Sequence, residues 1–275
     1  MKLFVSCDME GTAGVSSWQQ VDARSYTPEY AVFQKYMTGE VRAAIEGARS
    51  AGATEMLITD SHGPMRNLLL DELPHDVRVL FGNRKPLSMA QNLSREFAGV
   101  FFTGYHGAVG DLNATLSHTY APSVIYEVRI NGISCSEALL NAGVAGYFGV
   151  PVLLITGDRT TVEGARSHMP WLTGVVVKES IGNFAVESMS PAAAREAIRA
   201  GAAQAMAGAA GAKPYAFASP VTMKIDVVGV QQADVIEVIP GFTRTGGRQV
   251  TFVHDDYLTV FRAFVAAFRT GAVAE

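Results

Sequence analysis

The chain has 275 residues, is 48% apolar and carries a formal net charge of −4. That length supports one large core, or one domain with a smaller companion, and the acidic balance, without any basic stripe interleaved with aromatics, argues against nucleic acid as a partner. Charged residues make up only 17% of the chain, which predicts a subunit that covers apolar surface in a homo-oligomer.

Strand and helix patterns alternate along the chain. Residues 2–8 read as an apolar strand with one lysine, lacking the apolar core and cleavage site of a signal peptide. A loop rich in Ser and Gln follows. Residues 28–51 then read as a helix, with Phe33, Met37, Val41, Ala44 and Ile45 on one face and Gly52 at its end. A strand at 54–60, a short helix at 65–73 and a strand at 77–82 come next. This βαβ rhythm predicts an α/β fold with a mostly parallel sheet flanked by helices. Residues 124–130 are strand-like and run into Asn131-Gly132, the strongest short hairpin signal. They predict a β-hairpin that projects from the sheet and suits a subunit contact. A helix at 135–148, a strand at 150–156 and a helix at 160–168 complete a first domain at 1–173. The texture then changes. A strand at 175–177, an Ala-rich helix at 191–208, strands at 220–228 and 248–254 and a last helix at 256–269 predict a smaller α+β lobe at 174–275. Cys7 and Cys135 make no disulfide framework, which predicts a reduced, cytoplasmic setting. No apolar run approaches the ~18 residues that span a bilayer, so no membrane partner is expected.

Three of the apolar strands end in a ligand-type residue followed by glycine: Asp8 and Glu10 before Gly11, Asp60 and His62 before Gly63, and His106 before Gly107. In an open α/β sheet, ligands bind beyond the carboxyl ends of parallel strands. If the three strands are neighbours, Asp8, Glu10, His62 and His106 converge, and that donor set points first to zinc. Asp8 and Glu10 are two apart on a strand, so they share a face. Two carboxylates there are costly to desolvate without a cation. Each residue also has a plainer reading. Asp8 can cap a turn, Glu10 can be solvated, and Asp60 can cap the following helix, bind metal, or orient His62 from behind. Glycines on both sides of His106 leave room for a ligand's close approach.

Other candidates carry weaker signals. His118 lies in a polar loop with Asp111 and Asn113, and its pattern alone marks it as a surface residue. Ser134 and Glu137 read as a capping box, with an inward-pointing Glu137 as the alternative. Lys85 is a candidate for an anionic substrate group. His75, His168 and His254 read as surface or structural residues. There is no dinucleotide fingerprint, no nucleophile elbow and no H-E-x-x-H motif.

Taken together, Ser6-x-Asp8-Met9-Glu10-Gly11, Asp60-Ser61-His62, Gly104-Tyr105-His106, Ser117-His118 and Glu137 with Asn141-Ala142 resemble the bacterial zinc D-aminopeptidases of the dipeptide-transport-associated type. The resemblance covers residues 1 to about 160 in order and spacing, and the C-terminal half more loosely. It implies two zinc ions per subunit, held by Asp8, Glu10, His62, His106 and Glu137, with Asp8 shared between them. It implies His118 as the catalytic residue, either nucleophile or general acid/base. It also implies a homodecamer that removes N-terminal D-amino acids from short peptides or amides, as expected of a cytoplasmic hydrolase. Asp60, Lys85 and Asn113 are candidates for supporting the site or touching substrate. The segments 16–28 and 110–115 match no pattern of that family. A binuclear metal phosphoesterase and a non-catalytic peptide- or metal-binding assembly are the alternative readings of the same residues. The first would need more basic residues by the metals, and the second would have no need of His118.

Overall fold

The computed structural model describes residues 1–25 and 27–274. Its larger sheet has seven strands in the spatial order β3 (Arg78–Leu80), β2 (Glu55–Asp60), β1 (Lys2–Cys7), β4 (Gly99–Tyr105), β7 (Val152–Asp158), β8 (Thr173–Ser180) and β9 (Val186–Ser188). All neighbours pair in parallel except β9, which returns antiparallel along β8. β1 therefore lies between β2 and β4, and the three expected ligand-bearing ends fall side by side.

The central strands are buried on both faces, as a parallel sheet requires. Leu3 and Val5 of β1 face α1 (Pro28–Ser50) and α4 (Pro191–Ala207), within a cluster that includes Ile45, Ile58, Phe101 and Ile198. Phe4 faces the other way, into a cluster shared with α2 (Glu137–Tyr147) and α6 (Tyr257–Gly271). Helix α1 starts where its sequence says it should. Pro28 occupies the first turn, and the Thr27 hydroxyl accepts from the Tyr30 N–H.

Five antiparallel strands form a second sheet, in the order β11 (Phe242–Gly246), β12 (Gln249–His254), β10 (Val221–Val227), β5 (Ile125–Ile130) and β6 (Ile133–Ser134). The hairpin at Asn131-Gly132 forms, with both residues at positive φ, but it does not project. β5 pairs along β10. Val128 and Ile130 are buried with Met223 and Ile225, so their apolar face needs that partner. The Asn131 carboxamide fixes the turn by accepting from Thr222 N–H and donating to the Ala218 carbonyl. Helix α5 (Val230–Ile236) lies between β10 and β11, where the sequence reading has no element.

The expected division at 173/174 falls at the start of β8, which is hydrogen-bonded to β7. The Ala-rich helix α4 also belongs with the larger sheet. Its small residues let it pack closely: a Cβ on Gly201 would lie 2.3 Å from Val175, and one on Gly47 of α1 would lie 2.1 Å from the Arg199 carbonyl oxygen. The remaining helix, α3 (Arg159–His168), follows β7 and is capped by Asp158. The expected helix at 65–73 is a loop with one 3-10 turn at Leu70–Glu72. Met65 has φ 55°, and the Asp60 carboxylate takes the N–H groups of Asn67 and Leu68 that a helix would have used. No helix among the described residues is long and apolar enough to cross a membrane.

Candidate metal centre

The carboxyl ends of β1, β2 and β4 bring six buried side chains together. Asp8 and Glu10 follow β1, His62 follows β2 and His106 follows β4, while His118 comes from the loop after β4 and Glu137 opens α2. Glycine makes the convergence possible. The N–H of Gly11 donates to the Gly104 carbonyl at 2.8 Å, and that of Asp8 donates to the Thr103 carbonyl at 2.8 Å. A Cβ on Gly104 would sit 2.2 Å from the Asp8 carbonyl oxygen, and one on Gly11 would sit 1.9 Å from that of Tyr105. These glycines thus serve chain-to-chain contact. Gly107 does the same, since a Cβ there would meet Ala114 at 2.6 Å, so the expectation of room for a ligand beside His106 is replaced by room for the loop.

Every histidine of the group gives one nitrogen to a backbone carbonyl. His62 donates from Nε2 to Val21 O (2.6 Å), His106 from Nδ1 to Gly107 O (2.9 Å) and His118 from Nδ1 to Leu116 O (2.8 Å). A carbonyl can only accept, so these bonds fix the tautomers and turn the other nitrogen inward. The inward atoms all face carboxylate oxygens. His62 Nδ1 is 2.9 Å from Glu10 Oε2 and 3.3 Å from Asp8 Oδ1. His106 Nε2 is 3.5 Å from Asp8 Oδ2 and 3.3 Å from Glu137 Oε1. His118 Nε2 is 3.6 Å from Glu137 Oε1 and 3.9 Å from Glu10 Oε1. His106 Nε2 is fully buried and has no hydrogen-bond partner.

Lone pairs facing carboxylates at these distances repel unless a cation lies between them. Without metal the cluster answers with protons. Burial opposes charge on His62 and His106, yet Glu10 and Asp8 around the first and Glu137 and Asp8 around the second hold both well above the ordinary imidazole range. His118 goes the other way, because burial and the neighbouring His106 lower it. Burial and Glu10 raise Asp8. Burial also opposes charge on Glu10, but His62 outweighs it and keeps that carboxyl well below its usual range.

The donors divide into overlapping sets whose ligand atoms lie within 4.8 Å of one another: Asp8, Glu10 and His62; Asp8, His106 and Glu137; and Glu10, His106 and His118. Oxygen and imidazole nitrogen in such numbers fit zinc. Glu137 does not form the expected capping box. Ser136 caps α2 by accepting from Leu139 N–H, which releases Glu137 to face the cluster, where its Oε1 also accepts from Tyr120 N–H at 2.6 Å.

Behind the ligands runs a buried chain of hydroxyls and an amide. Ser61 Oγ meets Ser6 Oγ at 2.8 Å, Ser6 Oγ meets Tyr105 Oη at 2.8 Å, Asn141 Nδ2 donates to Tyr105 Oη, and Tyr120 Oη donates to Asn141 Oδ1. It ties β1, β2, β4 and α2 together. Lys178 of β8 is a further support that the sequence did not mark. Its buried ammonium donates to the carbonyls of Glu10, Thr12 and Val15, so it holds the loop that carries Glu10.

The remaining candidates lie outside the cluster. The Asp60 carboxylate accepts from Asn67 and Leu68, and Asn67 in turn donates to the His62 carbonyl, so Asp60 shapes the turn bearing His62. Lys85 is buried and donates to Thr59 Oγ1 and the Asp60 carbonyl (2.8 and 2.6 Å). Its ammonium is already used and does not line the cavity. Asn113 is exposed at positive φ and lies away from the cavity wall. A cavity of about 560 Å³ opens over the cluster. The loop 16–25 supplies part of its wall through Trp18, Val21, Asp22, Ala23 and Arg24, whereas 110–115 supplies none. Trp18 also packs edge-on against His118, with ring centroids 5.3 Å apart. Tyr26 falls outside the described residues.

A fold with ligand-bearing ends of a parallel sheet, three acids and three histidines defines a metallohydrolase type of site. Residues 1–266 match the peptidase family model described as D-aminopeptidase. A D-aminopeptidase of Bacillus subtilis (strain 168) is 34% identical over 269 residues, covering 96% of each chain. Among solved structures, the Zn-dependent D-aminopeptidase DppA from Bacillus subtilis, a self-compartmentalizing protease, superposes with a TM-score of 0.94 at 31% identity, covering 99% of this chain and 98% of that one. The chain belongs to the D-aminopeptidase family. It is a metallo-aminopeptidase, a hydrolase of peptide bonds, and the phosphoesterase and non-catalytic readings fall away.

Proposed function

We propose that this enzyme holds two zinc ions per subunit and removes an N-terminal, D-configured residue from short peptides or amides. The observation that carries the reading is the division of donors around Asp8. One of its oxygens faces His62 with Glu10 and the other faces His106 with Glu137, so two three-residue sets share one carboxylate. When bound, a zinc pair polarises the scissile carbonyl and promotes attack on it. The chain's own residues do the rest. Glu10 lines the cavity floor, and one of its oxygens can accept from a free α-amine, which favours cleavage at the N-terminus. His118, with its tautomer set by Leu116, presents Nε2 to the cavity as a general base that takes a proton from the attacking water and returns it to the amine that leaves as the C–N bond breaks. Trp18, Met65, Met89 and Tyr120 give the cavity apolar walls, and its volume suits a short peptide.

The relative DppA is described as self-compartmentalizing. By likeness to it we read this enzyme as a homo-oligomer; the decamer is the sequence resemblance's reading, and a cytoplasmic setting is our reading from the absence of a disulfide framework. The low charged fraction and the exposed Leu112, Ile181 and Phe184 favour assembly. Metal analysis of the purified protein tests the centre, with about two zinc per chain expected by the donor sets. Release of D-Ala from D-Ala-D-Ala, compared with L-Ala-L-Ala, tests the activity. Protein that binds no zinc, or turns over the L-dipeptide faster, rejects the proposal. Sedimentation of the full chain tests the assembly.

A further inference from the structure

The cavity has two kinds of charge. Asp8, Glu10 and Glu137 line it at the metal cluster, and Arg24, Arg66 and Arg269 also line it. Arg24 is paired with Asp22 at 3.1 Å. Arg66 and Arg269 have no acidic partner among the described residues. Arg269 is nevertheless held in place. Its Nη2 donates to the Lys85 carbonyl at 2.8 Å, and its guanidinium lies 6.0 Å from the Phe268 ring centroid. Arg84, another guanidinium, is near enough to repel it. A half-buried, pinned cation facing a cavity and a like charge is unfavourable until an anion joins it. An isolated buried charge is normally paired.

We infer that Arg269 and Arg66 form the subsite for the free C-terminal carboxylate of the substrate, so that the enzyme selects a dipeptide with a free C-terminus over the same dipeptide capped. This rests on the aminopeptidase reading, because that reading places the α-amine at Glu10, which lines the same cavity. An extended dipeptide spans about 7 Å at 3.3–3.6 Å per residue, short enough for both of its ends to lie in this one cavity. Guanidinium is the side chain suited to a carboxylate, since its planar fork makes two parallel N–H···O bonds. Lys85 was the sequence's candidate for an anionic group. The structure gives it a different part: its ammonium is consumed by Thr59 and Asp60, while its backbone carbonyl aims Arg269.

The test compares kcat and KM for D-Ala-D-Ala and for the same dipeptide as its C-terminal amide, using zinc-loaded wild type, Arg269→Gln, Arg66→Gln and Arg269→Lys. In the Gln variants, KM for the acid should rise about 10- to 100-fold, the loss of a charge-assisted bidentate contact. The acid-to-amide ratio of kcat/KM should fall by the same factor, with Arg269→Lys intermediate. Exposed Arg66 gives a variant whose folding is not at issue. A ratio unchanged within about twofold, or equal loss on both substrates, overturns the subsite. So does a wild type that turns over acid and amide alike, a result that leaves the aminopeptidase reading intact. Wild type inactive on both substrates sinks the two readings together.

Discussion

The imidazoles of His106 and His118 lie parallel, 4.0 Å apart between centroids and 7° apart in plane. Both belong to the buried donor group, but only His118 lines the cavity. Stacked rings so close do not both carry a positive charge, and burial together with His106 pushes His118 below the ordinary imidazole range. His118 is therefore neutral at pH 7 and ready to accept a proton. We expect His118→Ala to lower kcat by about 10² to 10⁴ while zinc content stays as in wild type. A general base must be unprotonated, so the acid limb of kcat/KM falls as pH drops through a pKa below 6.5, and that limb disappears in the variant. Loss of zinc along with activity would reassign His118 to the metal.

Zinc binding should release protons. In the metal-free protein His62 and His106 are held well above the ordinary value of 6.5 by Asp8, Glu10 and Glu137, so both carry a charge at pH 7. Ligation needs the bare nitrogen. Titration of apo-protein with zinc in buffers of different ionisation enthalpy should report roughly two protons released per chain if two ions enter as proposed, and zinc affinity should rise with pH as those protons leave. A buffer-independent heat at pH 7 would mean the histidines are already neutral and the electrostatic account is wrong.

The positions of Asp8, Glu10, His62 and His106 were legible because strand pattern, strand end and glycine coincide three times, and parallel pairing does the rest. Glu137 was ambiguous, since Ser134 and Ser136 both precede it and local spacing cannot say which serine caps α2. Lys178, more than 160 residues from the carbonyls it bonds, and the hydroxyl chain through Tyr105 and Asn141 were not legible, for they exist only once distant strands meet. Asn131-Gly132 specifies the turn at 131–132 but not where the hairpin packs. Its sheet partner β10 lies some 90 residues later, and local pattern carries no information about pairing at that distance.

Gly104 and Gly110 separate two costs of a glycine. Both have positive φ, +67° and +83°. A Cβ on Gly104 would strike the Asp8 carbonyl oxygen at 2.2 Å, whereas one on Gly110 meets nothing within 4 Å. Gly110→Ala should cost about 1 kcal/mol, the strain of a left-handed alanine. Gly104→Ala must also drive β4 from β1, which spreads His106 from Asp8. We expect it to lose several kcal/mol, at the severe end of single substitutions, and to bind zinc weakly if it folds. Thermal unfolding with and without a chelator checks both, and similar melting temperatures for the two variants would refute the contact argument.

Lys178 is a buried cation that serves three carbonyls and no carboxylate within bonding distance. Burial pushes its ammonium down to about 8, against the pull of Asp158, Glu40 and Glu10. Its Nζ lies 2.5 Å from the Glu10 carbonyl, 3.1 Å from that of Thr12 and 2.8 Å from that of Val15. Lys178→Met keeps most of the volume and removes every donor. Each buried acceptor left without a partner costs about 1–3 kcal/mol, so the variant should lose several kcal/mol in urea unfolding. The loop it releases carries Glu10, which belongs to the set with Asp8 and His62 and to the set with His106 and His118, but not to the set made by Asp8, His106 and Glu137. Chelator competition should therefore show one zinc weakened far more than the other, in a protein that still retains about one ion per chain. Equal weakening of both ions, or none, would show that Lys178 stabilises the fold without positioning Glu10.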